Sequence, residues 1–253
     1  MDQDNFIFIK RHLARLINVS FVQIICIVIL SLFPGTTKSQ IGIKLGTTIS
    51  NFYYTDRNMD PYLAFDIDLR PYLGYDIEGP QLGDQKPLIS ASVSVYYNFK
   101  LSNRFGLRPE ISFTQKGVSF NQFEYERVIY KVIINYLEIP LSIAYQFIKK
   151  EKFITELYLG GFAAFNMGAV KKVANHNSQV EKTKIDNTNK VDGGIHLGLT
   201  FKYKISEDFV LLDLRLFEGL SDIFTMPEDQ PKLYYSTQKT KITGVNITIG
   251  YEF

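Results

Sequence analysis

Apolar and polar residues alternate with a period of two through long stretches of this chain, a period that admits strands and little else. The clearest stretch is 88–99. Ile89, Ala91, Val93, Val95, Tyr97 and Phe99 share one face there, while Ser90, Ser92, Ser94 and Asn98 share the other with Leu88 and Tyr96. Residues 244–253 repeat the pattern, with Val245, Ile247, Ile249, Tyr251 and Phe253 opposing Gly244, Asn246, Thr248, Gly250 and Glu252. The alternation predicts eight strands, at about 40–53, 87–99, 104–119, 128–147, 153–168, 191–205, 208–220 and 240–253. Two are less regular. Residues 128–147 change parity near Asn135 and Tyr136, which predicts a bulge, and 153–168 is rich in Gly and Ala. Part of 62–77 also alternates, so the first long connection has room for an extra hairpin.

The connections say how such strands are assembled. Those at 100–103, 148–152 and 206–207 are tight and polar, whereas 54–86, 120–127, 169–190 and 221–239 are long. Short and long alternate strictly, as in an up-and-down barrel that turns tightly at one rim. Barrels of bacterial outer membranes have short periplasmic turns, longer external loops and an even strand number.

Ahead of the strands, residues 19–33 (VSFVQIICIVILSLF) form an apolar run of 15 residues, short of the roughly 20 that span a bilayer as a helix. Lys10, Arg11 and Arg15 precede it, and Pro34, Gly35 and the small Ser39 follow. That order is the order of a secretory signal peptide over 1–39, cut before Gln40, with a barrel domain over 40–253; an uncleaved membrane anchor is the alternative. Beyond the leader, basic and acidic residues balance, which excludes the basic footprint of a nucleic-acid binder. The single cysteine, Cys26, lies in the leader, so the barrel holds neither disulfides nor cysteine metal sites.

Periodicity alone fits a soluble barrel with its apolar face inside and a membrane barrel with that face outside. Residue size separates the two. Eight strands enclose a space that side chains just fill, and the polar stripes are rich in Gly and Ser, which suits a crowded interior. The opposite stripes hold bulky Leu, Ile, Val and Phe, with Tyr97, Tyr136, Tyr145, Tyr203 and Tyr251 as candidates for an interfacial belt. The expected fold is therefore an all-β, eight-stranded antiparallel up-and-down transmembrane β-barrel. Its polar stripes carry Arg104, Arg108, Glu110, Lys116, Glu138, Glu156, Asp192, His196, Lys202, Asp213, Arg215 and Glu252. Both signs of charge are present, so the stripes form a candidate network across the lumen, where unpaired charge is costly. A secreted lipocalin-like ligand-binding barrel, with these stripes in water, is the soluble alternative.

Several stretches carry a family resemblance: Ile41-Gly42-Ile43-Lys44-Leu45-Gly46, Arg108-Pro109-Glu110-Ile111-Ser112-Phe113 leading into Lys116-Gly117, Tyr136-Leu137-Glu138-Ile139-Pro140-Leu141, Leu159-Gly160-Gly161, and Ile249-Gly250-Tyr251-Glu252-Phe253. In them the chain resembles the PorT-like outer-membrane β-barrels, small barrels of the Bacteroidota type of envelope. The resemblance implies an outer-membrane location, with outer-membrane lipid, the barrel-insertion machinery and envelope proteins as partners. Phe253 is similar to the terminal aromatic that the insertion machinery reads. Some such relatives support protein secretion.

Chemistry is sparse. His12 falls in the leader, His176 in a connection and His196 on the polar face, with Asp192 four residues before it. A hydrolase would need His196 beside a Ser or Thr nucleophile and an orienting carboxylate; a hydrogen-bonded interior histidine is the plainer expectation. The acids of the first long connection, Asp56, Asp60, Asp66, Asp68, Asp76, Glu78 and Asp84, match no calcium loop. Lys171, Lys172, Lys182, Lys184 and Lys190 make the third long connection basic, fit either for anionic lipid heads or for solvation. No catalytic residue, cofactor site or metal site is expected. The functional expectation is a structural or interaction barrel of the envelope. The alternatives are an outer-membrane barrel enzyme acting on lipid, a narrow porin-like conductor, and the secreted barrel.

Overall fold

The computed structural model describes residues 40–54, 85–122, 128–174, 180–186, 188–224 and 240–253. The leader over 1–39 and the extra hairpin over 62–77 lie outside the described residues.

The strands are β1 (Gln40–Tyr54), β2 (Gln85–Lys100), β3 (Phe105–Gln122), β4 (Val128–Lys149), β5 (Phe153–Ala174), β6 (Val180–Ile185), β7 (Val191–Ile205), β8 (Asp208–Gly219) and β9 (Thr240–Glu252). Eight of them close into an antiparallel barrel in the order β1-β2-β3-β4-β5-β7-β8-β9, with β9 pairing back to β1. Closure leaves the barrel without a free edge, which a lipid-embedded sheet requires. The ninth strand, β6, lies inside the connection 169–190, where the sequence predicts no strand. It pairs with the end of β5, from Ala169↔Ile185 to Ala174↔Val180. Its sequence VEKTKI faces no core, so no apolar stripe marks it.

Burial alternates as the sequence predicts, and it is inverted relative to a soluble protein. On β2 the apolar Ile89, Val93 and Val95 are 70%, 47% and 48% exposed, while Ser92, Ser94, Tyr96 and Asn98 are buried. On β4 the outward band runs from Leu137 through Ile139, Leu141 and Ile143 to Phe147. Ten residue steps at about 3.3 Å, tilted about 40°, give a band about 25 Å tall, the height such barrels present to lipid.

The parity change predicted in β4 is not there. Tyr130, Val132, Ile134, Tyr136, Glu138, Ser142 and Ala144 are all buried, an unbroken inward series. A register shift does fall between Asn135 and Tyr136, but its extra residue is Met167 on β5. What changes along β4 is the chemistry of the interior, from polar at Ser142 and Glu138 to apolar at Ile134 and Val132. Tyr136, 1% exposed, therefore belongs to the interior and not to the interfacial belt. Tyr203 and Tyr251 are outward near the short-turn rim.

Glycines inside the strands make space for lumenal rings. Gly42 pairs with Tyr96 and Gly198 with Tyr158 across neighbouring strands. A methyl group at either glycine would sit 2.2 Å or 2.3 Å from the partner's ring, so only glycine lets the ring lie flat on the wall.

Candidate functional site: a two-storey lumen

The half of the lumen nearer the short turns is charged. Inward positions on six strands deliver Lys44, Arg108, Lys202 and Arg215 against Glu110, Glu156, Asp213 and Glu252, and each is at most 4% exposed. The chain of contacts is continuous. Glu110 receives Lys44 at 2.9 Å and Arg215 at 2.6 Å, and Lys44 reaches Asp213 at 3.4 Å. Tyr158 donates to Asp213 at 2.9 Å and accepts from Arg215 at 3.1 Å. Thr200 donates to the other oxygen of Asp213 at 2.7 Å and accepts from Arg108 at 3.1 Å. Arg108 also pairs with Glu156, which receives Lys202 at 3.2 Å. Lys202 binds Glu252 at 2.7 Å, and Tyr96 donates to Glu252 at 2.6 Å. The Arg108 guanidinium lies between two rings, 5.0 Å from Tyr96 and 5.3 Å from Tyr158. Four cations meet four carboxylates, so the network is neutral as a unit, and nearly every charged oxygen has a donor. That balance is what makes so much buried charge tolerable.

The half nearer the long connections is apolar. Phe52, Val118, Phe120, Tyr130, Val132, Ile134, Phe162, Val173, Phe217 and Ile242 form one buried cluster. One ion pair is set among the rings: Lys116 meets Glu138 at 2.5 Å, with its ammonium 3.9 Å from the Phe217 ring centre and 4.6 Å from that of Phe162.

The remaining sequence-predicted residues fall as follows. His196 is 2% exposed, and its Nε2 lies 2.7 Å from the hydroxyl of Ser142 on β4. A serine–histidine pair of that length is the beginning of a hydrolytic site. However, Nδ1 has no hydrogen-bond partner among the described residues, so none of them supplies the orienting carboxylate, and the Phe162 ring stacks on the imidazole at 6.3 Å. Asp192 is buried; one of its oxygens accepts from the Gly193 amide at 2.7 Å and the other has no hydrogen-bond partner among the described residues. Arg104 does not reach the lumen. It sits exposed in the turn before β3, where strand alternation no longer applies, and bonds the Tyr145 hydroxyl at 3.2 Å. Phe253 is outward, 58% exposed, and its amide donates to the carbonyl of Ile41 at 2.9 Å. Lys44, Tyr96 and Tyr158 are members of the network that the sequence reading did not assign to it. Lys44 follows the same alternation as its neighbours Gly42 and Gly46, and that signal was sufficient to place it.

An eight-stranded closed barrel with an apolar outer belt and a charge-filled interior is a protein that crosses a lipid bilayer with strands. The chain belongs to the outer membrane protein beta-barrel domain family, whose model matches residues 33–225, and it is an outer-membrane protein. No curated protein matches the sequence. Among solved structures, the chain is similar to the attachment invasion locus protein Ail of Yersinia pestis, with 11% identity and a TM-score of 0.38 over 85% of this chain and 99% of that one. It is similar to OprG from Pseudomonas aeruginosa, with 12% identity and a TM-score of 0.39 over 87% and 98%. The outer membrane protease OmpT from Escherichia coli matches with 8% identity and a TM-score of 0.44 over 87% and 97%.

Proposed function

We propose that this protein is a sealed scaffold barrel. Its interior holds the fold together, and its work is done by what the long-connection rim presents to envelope partners. The carrying observation is the lumen, filled in one half by a neutral ion network and in the other by an apolar cluster. Buried side chains occupy both halves, and among the described residues none supplies a carboxylate to His196 Nδ1 to complete the Ser142–His196 pair. In planar bilayers the refolded protein should show no steady conductance above the bare membrane. Reproducible open levels from the parent protein would make it a conductor instead.

The long connections face outwards in this reading, and the turns at 101–104, 150–152 and 206–207 face the periplasm, as the general plan of such barrels has it. A secretory leader over 1–39 supplies export, and protein purified from membranes should begin near Gln40. An epitope tag inserted after Asn175 should bind antibody on intact cells, whereas one after Ser102 should need a broken envelope. The opposite pattern would invert the topology. The resemblance to PorT-like barrels makes protein secretion the process we propose this scaffold to serve. Deleting the gene should then leave exported proteins in the periplasm, and an unchanged secreted fraction would remove that role.

A further inference from the structure

The register of β4, β5 and β6 lines up lysines in a way that the fold does not require. Lys131 pairs across to Lys172, and Lys172 pairs on to Lys182, three like charges side by side on adjacent strands. Like charges directly opposite one another destabilise a sheet. Lys131 continues the outward series of Leu137 and Ile139 on β4, so the row lies on the outer face. Below it come Ile133 and Val170, flanked by Lys184, then the polar Asn135, and six residues from Lys131 the lipid-facing band that starts at Leu137. At the same spacing and tilt the row stands about 15 Å above Leu137, on the headgroup side of the hydrocarbon, and the long lysine stems lean from there towards the headgroup layer. Lys184 is matched by Asp186 at 2.5 Å, but Lys131, Lys172 and Lys182 have no ion-pair partner among the described residues. Another sector of the same rim is built differently. There Tyr53 donates to Glu218 at 2.7 Å, and Lys241 lies 6.0 Å from the Tyr53 ring centre, so outward polar groups satisfy one another.

We propose that the row Lys131–Lys172–Lys182 is a docking site for the phosphate groups of anionic lipid in the leaflet on the long-connection side. Phosphates seated between the lysines convert a repulsive cross-strand row into a bridged one. They also fix which sector of the barrel carries an annulus of charged lipid.

Native mass spectrometry of the refolded protein in detergent tests this, with phosphatidylglycerol and phosphatidylcholine as probes. The parent should retain phosphatidylglycerol in preference to phosphatidylcholine. Lys131→Gln, Lys172→Gln and Lys182→Gln combined should weaken that retention about tenfold. The matched change at the other rim, Lys149→Gln, Lys150→Gln and Lys152→Gln, should leave it intact. Arginine at the three row positions should preserve binding, because the charge and the reach remain. Inorganic phosphate at the same concentration should not displace the lipid. Equal losses in both glutamine triples would reduce the effect to net charge and overturn the proposal. Displacement by free phosphate, or loss in the arginine variant, would overturn it as well.

Discussion

Arg108→Ala is expected to destabilise the barrel by about 3–5 kcal/mol, the cost of breaking a buried ion pair by removing one partner. Arg108 is 1% exposed and touches more of the lumen than any single contact suggests. It pairs with Glu156, bonds Thr200 and fills the gap between the Tyr96 and Tyr158 rings. Without it, three cations would face four buried carboxylates, and a cavity would open between two rings. Arg108→Lys keeps the charge but loses the planar fork, so it should fall between alanine and the parent. Urea titration of the three proteins refolded into liposomes measures the series. A loss under about 1 kcal/mol for alanine would mean that Glu156 is solvated through the lumen, and the sealed interior would fall with it.

Val93→Arg should cost about 2–4 kcal/mol, the penalty for arginine at the midplane of such barrels. Val93 pairs with Leu45 on β1 and Phe113 on β3, and all three are outward and exposed. An arginine there has only lipid around it. Ser92→Ala, one residue away, points into the lumen, adds no charge and should cost less than about 1 kcal/mol. The ordering separates the two faces by one step of the chain. Equal stabilities for the two variants, or a parent that folds fully in plain buffer, would contradict a lipid-facing stripe.

Where a strand begins, and which of its residues share a face, was legible in the sequence because both are local. The alternation in 88–99 and the tight turn at 206–207 needed no partner to be recognised. The choice of which face meets lipid also came from composition, since Gly and Ser suit an interior that bulky Leu and Ile do not. The candidate lumen residues could be named by the same parity, which places Glu110 and Asp213 inside; it places Lys44 there too, although Lys44 was not among the residues named. Arg104 escaped the rule because parity has no meaning outside a strand, and Arg104 is the last residue of its turn, one before β3.

The sequence by itself determined a barrel of eight strands, the connection order that closes it, and the inversion of its faces. Period and turn chemistry act over a few residues. Only the tertiary structure decided that Lys44 meets Glu110 and Asp213, 66 and 169 positions away. Only closure decided that the lumen divides into a charged half and an apolar one. Val132 and Ile134 looked like a break in phase until every neighbouring strand supplied its own apolar residue at that height. The physical reason is the stagger of strands around a closed barrel. Each lumenal height is set by the register of all eight strands at once, a sum that no stretch of sequence contains.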